Sequence, residues 1–259
     1  MKILTLTISL LVLSLFTLTA EGVGKKTIRK SNINLGFGLG CGYLKDQNYS
    51  PLSYSSSGVV VNAGYRRNIN GNLLFLTSDI QFGELNTAVS EYNTSDHYNI
   101  NLELGFLKNI PINCSEIKFR LGGQYHAYFD IVFYDSESAI TFYGLHSLDL
   151  TGSISWNISS KHALSSTISL PVFGLLIRPP WTGWDIYTIY NESYPLFFKG
   201  RWTSLNDFFA FNLNILYHFS IATRWDLTAK YLFRYYRTDE LETAIIASNQ
   251  FTIGTSFSF

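Results

Sequence analysis

Residues 32–44 read NINLGFGLGCGYL. Ile33, Leu35, Phe37, Leu39, Cys41 and Tyr43 share one parity, and Asn34, Gly36, Gly38, Gly40 and Gly42 share the other. Successive side chains of a strand point to opposite faces, so this run is a strand with one apolar face and one small, polar face. Its glycines do not make a phosphate-binding loop, because a dinucleotide fingerprint needs a strand, a tight turn and a helix in succession. Here they recur within a single strand, on the face where they leave room for large side chains from opposite strands.

The rhythm continues to residue 259. Rows such as Leu74, Leu76, Ile80 and Phe82, or Ile100, Leu102, Leu104 and Phe106, interleave with polar residues through about ten runs. Connections near residues 70, 110, 160 and 221 are short, and Asn70-Gly71 is a tight hairpin signal. Those near 50, 90, 136, 190 and 240 are mostly longer. Short turns at one end and longer loops at the other are the asymmetry of a transmembrane barrel. Pro171, in the seventh run, lacks an N–H and predicts a bulge or a break in pairing. Residues 177–204 are rich in Trp, Tyr and Pro and alternate poorly, so they read as the largest outer loop, partly structured. The fold class is all-β: an antiparallel transmembrane up-and-down β-barrel of about ten strands, with eight or twelve as alternatives.

Composition agrees. Only 15% of the 259 residues are charged and 16% are aromatic, whereas a soluble domain carries about 25% charged residues. Few charges and many aromatics suit a lipid-facing wall with aromatic girdles. Lys+Arg and Asp+Glu both number 19, so the basic excess of a nucleic-acid binder is missing. Lys2 precedes an apolar run ending at Ala20, which reads as a secretory signal peptide over residues 1–20. Residues 21–31 read as a short periplasmic segment and 32–259 as the barrel. Beyond residue 43 no apolar stretch is long enough for a spanning helix, so a membrane must be crossed by strands. Cys41 and Cys114 fall toward opposite ends of the barrel, too far apart for a disulfide. Both are expected to be free, buried small hydrophobes.

With these runs and the terminal QFTIGTSFSF of residues 250–259, the chain resembles bacterial outer-membrane β-barrel proteins as a class. The resemblance implies an outer-membrane location, outer-membrane lipid around the wall, and Phe257 and Phe259 as an aromatic signal for the barrel assembly machinery.

The inward parity carries Arg66, Asp79, Glu103, Glu116, Lys118, Arg120, His126, Asp130, Asp149, Asp226, Lys230 and Arg234. A ten-stranded lumen is narrow, and buried charges must pair, so these residues are expected to form a structural polar plug. The alternative is a narrow channel or transporter for small solutes. A third reading is a hydrolase of lipid or peptide. Asp96-His97, Asp130 and Asp185 near the outer rim have the residue types of omptin-type proteases, without their acidic-pair motif. His218-Phe219-Ser220 has the spacing of outer-membrane lipid hydrolases, but it falls at the periplasmic end without an orienting acid. His126 beside Asp130 forms a candidate carboxylate-oriented base. No CxxC, HExxH or clustered His/Cys pattern occurs, so neither metal nor cofactor is implied. Trp181, Trp184, Tyr187, Tyr190 and Trp202 form an aromatic loop set suited to binding an envelope protein or surface ligand, or to packing as a lid. The expectation is a non-enzymatic barrel with a plugged lumen and partner-binding loops.

Overall fold

The computed structural model describes residues 31–48, 50–87, 95–112, 116–133, 140–178, 200–205, 207–239 and 242–259. The strands are β1 (Ser31–Asp46), β2 (Ser53–Ile69), β3 (Asn72–Asn86), β4 (Ser95–Ile110), β5 (Ile117–Phe133), β6 (Ile140–Asn157), β7 (His162–Ile177), β8 (Arg201–Ser204), β9 (Phe208–Ser220), β10 (Trp225–Thr238) and β11 (Ala244–Ser258). Each long strand pairs antiparallel with the next, β7 pairs with β9, and β11 returns to β1. The result is a closed ten-strand barrel plus the short β8. Closure pairs every long strand with two neighbours, and β8 is the short edge strand beside β7.

Local chemistry explains the connections. Asn70 (φ 53°) and Gly71 (φ 90°) both adopt the left-handed region that a two-residue hairpin turn requires. At the seam, β1 and β11 stay in register from Asn32↔Ser258 to Asp46↔Ala244. Ser31 and Phe259 then exchange both backbone hydrogen bonds, at 3.2 and 2.9 Å.

Pro171 marks an irregularity, as its missing N–H predicts. The β6–β7 register shifts between Leu148 and Asp149, where Leu148 faces Phe173 and Asp149 faces Pro171. On its other side β7 pairs with β9 only from His162 to Ser169. From Phe173 to Leu176 it pairs with β8 instead. Residues 201–204, within the segment read as the largest, partly structured outer loop, form this short strand. Trp202 lies on it and stacks against Phe173 at 5.3 Å and 7°. Four residues are too short a window for periodicity to register.

The two faces of the wall follow sequence parity. Leu35, Phe37, Leu39, Phe82, Leu104, Leu148 and Phe251 are exposed on the outside, while Asp79, Gln81, Asn101, Arg234 and Ser256 are buried inside. Cys41 is exposed on this outer face, not buried as expected. Cys114 lies outside the described residues. Phe142 faces outward yet is buried, because Gly144 leaves space that Phe142, Phe129 and Ile177 fill.

Candidate functional site: a side-chain-filled lumen

The lumen has layers. In the middle, Asp79 on β3 reaches across to β10. Its carboxylate accepts from Lys230 Nζ at 2.6 Å and from Arg234 at 3.1 Å, and Asn62 donates to it at 2.8 Å. Arg234 also donates to Asn99 of β4 at 3.5 Å. β3 and β4 stand opposite β10 in the ring, so these bonds cross the barrel. Two cations on one carboxylate satisfy both of its oxygens, which is what makes charge tolerable at 1% exposure.

A second group surrounds His126 on β5. His126 Nε2 meets Asn101 Oδ1 at 2.5 Å, and its Nδ1 lies 3.4 Å from Asp149 on β6. Asp149 accepts from Ser147 at 2.5 Å and from Gln124 at 3.1 Å. Tyr236 of β10 donates to Asn212 at 3.1 Å and lies 3.4 Å from His126 Nε2. Glu103 accepts from Thr77 at 3.1 Å and from Asn101 at 3.2 Å.

The third group gives Asp130 a histidine other than the candidate His126. Asp130 orients His97, not His126: His97 Nε2 lies 2.9 Å from Asp130 Oδ2. Asn99 and Tyr128 donate to the same oxygen at 3.1 and 3.0 Å. Asp96, next to His97 in sequence, points outward and is exposed, so the two do not share a site. Asp185 lies outside the described residues.

Toward the outer end the lumen is apolar, a layer the sequence reading missed. Leu44, Tyr54, Leu85, Tyr128, Val132, Tyr143, Leu145, Leu176, Phe208, Ala210, Tyr236 and Ile246 form one buried cluster drawn from nearly every strand. All sit on the inward parity, so the signal was present: apolar residues at the outer ends of otherwise polar rows. At the rim Arg178 donates to Asp46 at 2.5 Å and to the Glu242 carbonyl. This contact ties the end of β7 to the end of β1.

The remaining expected lumen residues are less connected. Arg120 donates to the Gly71 carbonyl and to Ser155, both at 3.0 Å, near the short-turn end. Arg66 and Lys118 are half-buried there. Asp226 is buried at the start of β10. Trp181, Trp184, Tyr187 and Tyr190 lie outside the described residues. Phe257 and Phe259 are on the outer wall, Phe257 packing 4.9 Å from Trp225. His218 and Ser220 sit at the short-turn end. No group of three His, Cys, Asp or Glu side chains suited to a metal occurs among the described residues.

An apolar exposed wall around a buried polar interior, closed on itself, defines a transmembrane β-barrel of the outer-membrane type. No family model and no curated protein matches the chain. Among solved structures it is similar in fold to the outer membrane protease OmpT from Escherichia coli, at 10% identity and TM-score 0.49, over 93% of this chain and 100% of that one. It is also similar to the translocator domain of the autotransporter NalP from Neisseria meningitidis, at 10% identity and TM-score 0.42, over 98% and 96%. A third likeness is the transport unit of the autotransporter AIDA-I from Escherichia coli, at 8% identity and TM-score 0.46, over 94% of each.

Proposed function

We infer that the protein is a non-conducting, non-enzymatic outer-membrane barrel whose work is done on its outer surface, by binding an envelope protein or surface ligand there. The observation that carries this reading is Arg234, a fully buried side chain that leaves β10 and ends on Asp79 and Asn99 across the lumen. A solute path along the axis would have to displace it, together with the apolar layer beyond. The His97–Asp130 pair supports this reading too, because Asn99 and Tyr128 occupy the same carboxylate as structural donors.

Planar-bilayer recording of the purified barrel tests it. The expected trace is a closed baseline, and a stable open conductance overturns the reading. Removal of residues 179–199, which spares β8, tests the surface half. Cell-surface or partner binding is expected to fall, and unchanged binding rejects the loop as the contact.

A further inference from the structure

The zero net charge hides an uneven distribution along the barrel. Among the described residues near the short turns, the acids are Glu116 and Asp226. The bases there include Arg67, Lys108, Lys161 and Arg224, and three more sit on the lumen side: Arg66, Lys118 and Arg120. Arg66 lies on β2 close to the Asn70-Gly71 turn. Arg120 starts from β5 and reaches that same turn, donating from Nε to the Gly71 carbonyl at 3.0 Å. Its Nη1 donates to the Ser155 hydroxyl, also at 3.0 Å. Lys118 shares the inward face of β5 with Arg120, nearer the turn end.

These cations lack a counter-charge. Arg66 lies within electrostatic reach of Arg120 and of Glu103. Glu103, however, accepts from Thr77 and Asn101, and from neither arginine. Among the described residues Arg66 and Lys118 make no hydrogen bond, and Arg66 Nε is shut off from solvent. Arg120 is 7% exposed and meets only neutral oxygens. A buried guanidinium beside a second of the same sign is costly without an anion. With the short turns in the periplasm, that anion arrives through periplasmic water. A carboxylate has two oxygens and matches one guanidinium fork. A phosphate carries up to two charges and three strong acceptor oxygens, so it can meet two forks and an ammonium together.

We propose that the short-turn mouth of the lumen binds one phosphate group, held by Arg66 and Arg120 with the Lys118 ammonium beside it. The same chemistry is offered by a soluble phosphate of the periplasm and by a phospholipid head group of the inner leaflet. The proposal stands apart from the closed lumen, which conductance tests separately. The full-length barrel in nonionic, phosphate-free detergent is titrated with inorganic phosphate by calorimetry at constant ionic strength. One saturable site per barrel is expected. Arg66→Gln and Arg120→Gln should each weaken it about tenfold or more, with the heat-modifiable band showing that each variant is folded. Lys118→Gln, at a half-buried position, should weaken it too and covers the case of an arginine variant that does not fold. Arg67→Gln removes the same charge from an exposed position one residue away and should leave binding unchanged. Binding that persists in phospholipid nanodiscs assigns the site to soluble phosphate. Binding lost there, with one phospholipid retained by the wild-type barrel and released by Arg66→Gln in native mass spectrometry, assigns it to a head group. No saturable binding in detergent overturns the proposal, as does binding weakened equally by Arg67→Gln.

Discussion

Tyr128 of β5 and Tyr236 of β10 stack across the lumen, with ring centroids 4.4 Å apart and planes inclined by 22°. The rings join the apolar layer to the polar one. Tyr128 donates to Asp130 and Tyr236 to Asn212. Removing either ring opens space at the centre of the barrel. Tyr236→Ala is expected to cost about 3–5 kcal/mol of unfolding free energy and to add brief conductance events in planar bilayers. Tyr236→Phe keeps the ring, should cost about 1 kcal/mol, and should leave the baseline closed.

Asp79→Asn leaves Lys230 and Arg234 buried without a counter-charge. Breaking such a group by removing one partner costs about 3–5 kcal/mol, read as a lower denaturant midpoint. Lys230→Met should cost less, because Arg234 still neutralises Asp79. Combining the two substitutions should restore part of the loss. Strict additivity would show that the cross-lumen pair is not energetically coupled.

Gly38 is a steric requirement. A Cβ there would run into the Phe251 carbonyl of β11. Gly38→Ala is therefore expected to impair the β1–β11 seam, seen as loss of the compact, heat-modifiable band on gels. Gly152→Ala is the matched comparison. Its new methyl would meet only Leu121 Cδ1, at 3.9 Å, and the folded band should persist.

Phe259 is exposed on the wall, with its backbone joined to Ser31. Phe259→Ala keeps that backbone and loses only the ring. Refolding into detergent should be little changed, while the amount of barrel reaching the membrane in cells should fall. Equal loss in both assays would make the ring a stability element and not an assembly signal.

Strand number, facing and the Pro171 irregularity were legible because each depends on neighbours along the chain. Parity assigned Asp79, Lys230 and Arg234 to one interior. Which of them meet depends on strand tilt and stagger, which the sequence does not display. That is why the sequence offers His126, four residues along the same strand, as a candidate partner for Asp130, while the partner in space is His97 from β4. The apolar layer was overlooked for a different reason. A row judged by its majority reads as polar, although Leu44, Leu145 and Ile246 lie on inward rows at the outer ends of their strands.

The seam between β1 and β11 has a temporal consequence. Every other long-strand junction joins strands that follow one another along the chain, β7 and β9 being separated only by the segment that carries β8, so each can pair before the whole chain is present. The seam joins residues at the two ends of the barrel sequence, so the ring cannot shut until all of it has left the ribosome. Until then Ile33, Phe37 and the rest of the β1 wall have no finished surface to belong to. Such distant pairing slows folding, and it makes the unclosed chain a client that must be escorted in an extended state.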